Sequence, residues 1–191
     1  LSPGTTNELV TTDWFRTNNL QFTPVLQERM QDNAVSLQAG RCDAIGTDAT
    51  QLAALRSQFT RPEDYVILPE RFSKEPYGPV VRRDDQEWFD VIRWTISALI
   101  NAEELGITSQ NAEEMRRTST NPEIRRLLGV DPLLGNALKL DTSWAYNAIR
   151  AVGNYGELFD RTIGPNTPIG LDRGLNRLWT NGGLMYAWPM R

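Results

Sequence analysis

Residues 85–106, DQEWFDVIRWTISALINAEELG, carry the pattern of one long helix stopped by Gly106. Trp88, Phe89, Ile92, Trp94, Ile96 and Leu99 are distributed around that helix rather than confined to a stripe, so it expects burial on more than one side. It must pack inside a layered domain. Its charges, Asp90 and Arg93 among them, break the apolar run well short of the ~20 residues that a membrane-spanning helix needs. Shorter helical segments follow at 108–117, 121–128, 142–153, 154–163 and 171–181, and no convincing strand is found between about 84 and 191. The second half of the chain offers helices for a sheet it does not contain.

The first half reads differently. Thr5-x-x-Glu8 is a capping box that opens a helix carrying Leu9, Val10, Trp14 and Phe15. LQFTPVL reads as a short extended piece, and QERMQDNAVSLQAG as a helix with Met30, Ala34 and Leu37 on one stripe and Gly40 as its stop. RCDAIGT reads as a small buried strand, Asp48 caps the helix ATQLAALRSQF, and DYVILPE is another strand. Strands separated by helices of about ten residues imply parallel pairing in a doubly wound α/β sheet. SKEPYGPVVRRDD, with two prolines and a glycine, then reads as an extended crossover between two lobes.

Absences narrow the chemistry. The 191 residues hold no histidine and one cysteine, Cys42. That removes imidazole bases, Ser–His and Cys–His nucleophiles, most zinc or iron sites and any internal disulfide, and implies no metal and no cofactor. The net charge of −4 argues against a nucleic-acid partner. IGPNTPIG and TNGGL are glycine-bearing turns without a Walker lysine. Carboxylate neighbours such as Asp84–Asp85 and Glu113–Glu114 point apart on a helix, so paired acid–base catalysis gains nothing from them. The paired arginines at 82–83, 116–117 and 125–126 read as solvated faces, and most tryptophans as core.

Two places can still hold a small ligand. The first amides of a helix have no internal partner and lie at its positive end, so LSPGTTNELV presents an anion site at which Gly4 allows close approach and the hydroxyls of Thr5 and Thr6 add donors. The plainer reading is that Thr5 only caps the helix. Asp48 lies where a strand ends and a helix begins, the edge at which open α/β sheets bind ligands. It can cap the helix, hold an ammonium, or do both. An anion-seeking helix start and a carboxylate together complement a zwitterion such as a free α-amino acid.

PGTTNEL, AGRCDAIGTD, SKEPYGPVVRRDDQEWFDVIRWTISALINAEELG, WAYNAIRAVGNYGELFDR and GLNRLWTNGGLMYAWP together closely resemble the periplasmic general L-amino-acid-binding proteins of bacterial ABC importers, from residue 1 to 191. The resemblance implies an α/β, type II periplasmic-binding-protein fold: one complete doubly wound lobe plus the helical C-terminal part of the other. Residues 1–78 resemble the second, ligand-clamping lobe. Residues 79–191 resemble the return hinge strand and the C-terminal helices of the first lobe, whose N-terminal sheet is missing. Carried over by position, Thr6 looks like the threonine that meets the ligand carboxylate, with Thr5 and Asn7 beside it. Leu1 looks like a backbone lining position, and Asp48 like the aspartate that holds the α-ammonium. The arginine and serine partners of the first lobe have no counterpart, and Cys42 resembles one half of a disulfide whose other half falls before Leu1.

The implied function is capture of a free L-amino acid, polar or acidic, by hinge closure in the periplasm, for delivery to ABC permease membrane subunits. The implied protein is not an enzyme. Exposed first-lobe helices would invite self-association or swapping. A dehydratase- or lyase-type enzyme on the same fold, with Asp48 as its acid, remains the alternative. So does a ligand-sensing or interaction remnant without a transport role.

Overall fold

The computed structural model describes residues 1–131 and 135–190. The chain divides into two compact units, Leu1–Tyr77 with Pro168–Leu171, and Gly78–Thr167 with Asp172–Arg191.

The first unit contains α1 (Thr6–Thr17), α2 (Met30–Gln38), α3 (Ala49–Arg56) and a 3-10 turn at Pro62–Asp64. Gly40 ends the α2 region with φ of 67°, a backbone that glycine adopts without strain. The unit buries small or polar side chains: Ala34 and Ala53 with Leu55, and the polar Thr11, Asn33 and Ser36. LQFTPVL, RCDAIGT and DYVILPE, read above as strands, form no β-ladder among the described residues. They remain extended or irregular, and RCDAIGT is only half-buried at best. A strand draws its hydrogen bonds from neighbours. Leu1 supplies one such exchange: its nitrogen donates to the Val25 carbonyl at 3.0 Å, and Gln27 N–H donates to the Leu1 carbonyl at 3.0 Å. That exchange has the parallel pattern, but it is one residue long. Pro24 and Pro69 each remove a further donor.

The second unit contains α4 (Gln86–Glu104), α5 (Ala112–Thr118), α6 (Pro122–Leu127), α7 (Trp144–Val152) and α8 (Tyr155–Thr162). α4 packs on α7 and α8. Its second half is buried at Ser97, Ala98, Leu99, Ile100 and Ala102, but Trp88 and Phe89 in its first turn are 51% and 43% exposed. All-round burial therefore holds only where α7 and α8 reach. The core joins Leu99, Ile107, Ile124, Leu127, Leu128, Trp144 and Ile149. Residues 171–181, expected as a helix, instead form two 3-10 turns, Gly174–Asn176 and Trp179–Asn181. The chain doubles back there: Trp179 N–H donates to Met185 O at 3.0 Å and Met185 N–H to Arg177 O at 3.0 Å. A Cβ on Gly183 would sit 1.9 Å from the Arg177 carbonyl, so TNGGL needs glycine at that position.

Two polar contacts lock the helices of this unit. Arg173 makes a two-pronged ion pair with Glu103 at 2.8 and 3.1 Å, with both side chains less than a fifth exposed. Glu157 completes a capping box with Asn154 at the start of α8 and also accepts from Ser109 N–H at 3.0 Å and Ser109 Oγ at 2.6 Å. The Asn154 side chain donates to the Ile107 carbonyl at 2.8 Å, so the cap ties α8 to the loop after α4.

The pKa of Glu157 is lowered. Its partial burial works upward, but the bonds from Ser109 and Asn154 outweigh it. A carboxyl held below its ordinary value of 4.5 adds stability above that pH, and the contribution is lost as pH falls through the lower folded value. Glu157→Gln should therefore flatten the fall in unfolding free energy on acidification below about pH 4.5, measured by denaturant titration at several pH values. Ile149→Ala, which empties a fully buried position of the core, should cost about 2–5 kcal/mol in the same measurement.

Candidate functional site

Within the first unit, the starts of α1 and α3 lie together. Thr5 is the N-cap of α1, with φ of −97° and ψ of 160°, and its Oγ accepts from Glu8 N–H at 3.3 Å. The same hydroxyl donates to Ser2 O at 2.7 Å. Gly4, at φ of 70°, turns its own N–H onto the Glu8 carboxylate at 2.6 Å. Thr5 thus caps the helix, as its plainer reading held. The backbone N–H groups of Thr6 and Asn7 have no protein acceptor among the described residues. They remain open donors at the positive end of α1.

Asp48 occupies the N-cap of α3, and its carbonyl accepts from Leu52 N–H at 2.9 Å. Its side chain accepts no hydrogen bond from the helix. The capping role read from the sequence is therefore not the one the carboxylate performs. The Asp48 carboxylate raises the Tyr77 pKa to about 12, with burial and the charge of Glu75 adding to it. A phenol near a carboxylate keeps its proton more tightly.

Asn7 and Thr47 join the two helix starts. Asn7 Nδ2 donates to Thr47 Oγ1 at 3.2 Å, and that hydroxyl donates to Gln51 Oε1 at 2.8 Å. The bonded Thr47 immediately precedes Asp48, and Asn7 immediately follows Thr6, so the open amides and the uncommitted carboxylate are brought to neighbouring helix ends. Gly46 permits this approach, because a Cβ there would lie 2.9 Å from Leu1 Cδ2 and 3.3 Å from Thr11 Oγ1. Leu1 spends both backbone groups inside the unit, on Val25 and Gln27, and its nitrogen also donates to the buried Asn33 Oδ1 at 3.1 Å. Its side chain is what it presents to the Gly46 turn. Cys42 is a half-buried free thiol.

Thr47, Gln51 and Tyr77 escaped the sequence reading. Thr47 stood in the quoted G-T-D turn without a role of its own, and Tyr77 was hidden between two prolines in a crossover. A bond such as Asn7–Thr47, which spans forty residues, leaves no local signal. A groove of about 410 Å³ beside Arg56, Pro62, Tyr65 and Pro168 lies at the opposite end of α3 and contains none of these residues. Among the described residues, no group of three His, Cys, Asp or Glu side chains is placed to hold a metal.

No protein-family model matches the chain. Individual proteins do. The putative amino-acid ABC transporter-binding protein YhdW of Escherichia coli is 48% identical over 191 residues, which is all of this chain and 56% of the relative. The general L-amino acid-binding periplasmic protein AapJ of Rhizobium johnstonii is 50% identical over 98% of the chain and 55% of its own length. The glutamate/glutamine/aspartate/asparagine-binding protein BztA of Rhodobacter capsulatus is 50% identical over 98% of the chain and 56% of its own length.

A solved ABC transporter periplasmic binding protein from Brucella ovis, with glutathione bound, matches all of this chain at 47% identity and a TM-score of 0.93, over 60% of that structure. The backbone is thus that of part of a periplasmic binding protein, in agreement with the expected fold class even though the short strands stay unpaired. The chain spans a little over half the length of the curated relatives it matches. It is a homologue, along its whole length, of the corresponding portion of the periplasmic amino-acid-binding proteins of ABC transporters.

Proposed function

We propose that the chain is part of the substrate-binding component of an ABC importer and recognises a free L-amino acid through its charged head. One observation carries the reading: the open amides at the start of α1 and the uncapped carboxylate of Asp48 stand at helix ends joined by the Asn7–Thr47 hydrogen bond. A ligand carboxylate fits the N–H groups of Thr6 and Asn7, with the Thr6 hydroxyl as a further donor. An α-ammonium fits Asp48. Both ends of one small zwitterion are answered by groups that hold its charges, so in this reading the protein binds and does not turn over.

Residues 1–78 act in this reading as the ligand-clamping lobe, and residues 79–191 as the return segment and helical portion of a first lobe. The working compartment is the periplasm and the downstream partner is a permease. The names of the relatives support this, and so does the ligand of the Brucella ovis protein: the γ-glutamyl end of glutathione carries a free α-ammonium and α-carboxylate. Exposed Trp88, Trp179, Tyr186 and Trp188 in the second unit favour association with a further copy or a further segment.

Calorimetry with the proteinogenic L-amino acids and glutathione tests the reading, with mass spectrometry of the mixtures to detect turnover. An L-amino acid should bind, its 2-oxo acid counterpart should not, and nothing should be converted. Asp48→Asn should weaken binding by roughly 30-fold or more, as expected when one side of a buried charge pair is removed. Failure of every amino acid to bind, or product formation, would overturn the proposal.

A further inference from the structure

An α-amino acid carries its ammonium and its carboxylate on one carbon, so the groups that answer them must keep one short spacing. In the first unit those groups belong to two helices, and their spacing depends on what holds the start of α1 against the start of α3. Asn7 Nδ2 donates to Thr47 Oγ1 at 3.2 Å, across forty residues of sequence. A Cβ on Gly46, the residue before Thr47, would lie 3.3 Å from the hydroxyl of the buried Thr11 and 2.9 Å from Leu1 Cδ2. Asn7 and Thr11 are four residues apart on α1 and therefore share a face. That face meets the Gly46–Thr47 turn at two points, once through a hydrogen bond and once through close packing.

The hydrogen bond has a fixed direction. A threonine hydroxyl has one proton to give, and Thr47 gives it to Gln51 Oε1 at 2.8 Å, in the first turn of α3. Its oxygen is left to accept from Asn7. Gln51 thus anchors Thr47 to the helix that Asp48 starts, and Thr47 anchors α1 to the same place. The recognising groups are immediate neighbours of this bond: the open amides of Thr6 and Asn7 on one side, and the carboxylate of Asp48 on the other.

We propose that Thr47 is a specificity-determining residue, a spacer that matches these groups to two charges borne by one carbon and so favours α-amino acids over their β isomers. The proposal rests on the amino-acid-binding reading above and gives Thr47 and Gln51 positioning roles within it. Neither needs to touch the ligand. The loss of the Asn7–Thr47 bond lets the two helix starts drift, and the ligand that needs one spacing suffers more than the ligand that never fitted it.

Calorimetry on the full chain tests this with pairs of isomers that differ in where the ammonium sits: L-alanine with β-alanine, and L-glutamate with β-glutamate. Wild type should bind the α isomer of each pair more tightly. Thr47→Val keeps the shape and removes the hydroxyl; it should weaken the α isomer about twofold to tenfold, the worth of one hydrogen bond between neutral groups. The β isomer should be unaffected, so the preference narrows by the same factor, whereas a merely structural role would weaken both isomers alike. Thr47→Ser returns the hydroxyl and should return the preference.

Asn7→Ala removes the other end of the bond and should narrow the preference equally, with Thr47→Val adding nothing on top of it. It also takes the place of Thr47→Val if that variant does not fold. No preference in wild type, an unchanged preference or a parallel loss in Thr47→Val, or an unrestored preference in Thr47→Ser overturns the spacer role and leaves the amino-acid-binding reading standing. If wild type binds neither isomer of either pair nor any other L-amino acid, both fall together.

Discussion

A helix start leaves several backbone amides without partners, and whatever answers them commits that end of the helix to one task. In the second unit three caps each answer an amide of their own helix. Asp85 accepts from Trp88 N–H at 2.9 Å, Asn121 from Glu123 N–H at 2.9 Å, and Asn154 from Glu157 N–H at 2.9 Å. Asn111, which makes no cap bond, takes Thr108 N–H instead, and Ser143 takes the guanidinium of Arg116. In the first unit the commitment is incomplete. Thr5 answers one amide of α1 and leaves those of Thr6 and Asn7 open, and Asp48 answers none of α3. Of the two carboxylate caps, Asp85 and Asp48, only Asp85 answers its own helix.

That distinction also explains what the sequence could tell. Helix positions were legible because their signals are local: the Thr5–Glu8 pair, Gly40 after α2 and Gly106 after α4 each act within a turn or two. Thr5, Thr6, Asn7 and Asp48 could be nominated because residue type and position at a helix start are visible in the string. Strand pairing was not legible, since an extended segment of apolar residues looks the same with or without a neighbour to bond. The helix expected at 171–181 failed for a related reason. Its apolar spacing is helical, but Gly182 and Gly183 let the chain fold back onto Arg177, and that contact is invisible until the backbone closes on itself. Thr47 was missed because its partner Asn7 is forty residues away.

Polar side chains hold the first unit where apolar ones hold the second. Asn33, 2% exposed, accepts from the Leu1 nitrogen and approaches Ser2, and the fully buried Ser36 receives Gln27 at 3.4 Å. Such bonds are directional and contribute on the order of 0.5–1.5 kcal/mol each, so they fix where Leu1 and the Gly46 turn lie more firmly than they stabilise the unit. Ile107, Leu127, Leu128 and Ile149 do the opposite in the second unit: burial without direction, at about 1.5–3 kcal/mol for each side chain removed from water.

A lobe with few large buried side chains is one whose stability ligand can alter. Binding to the folded form alone adds RT ln(1 + [L]/Kd) to its stability, a gain of about 2.7 kcal/mol at a hundredfold excess over Kd. Against the second unit's core that is a small increment. Against a unit held by Ala34, Ala53, Leu55 and a few polar bonds it is comparable to the burial of a large side chain. The weak apolar core and the open helix ends are then two sides of one arrangement. Residues that would have closed the amides of α1 and α3 from within would have stabilised the unit and left nothing for the proposed zwitterion to complete.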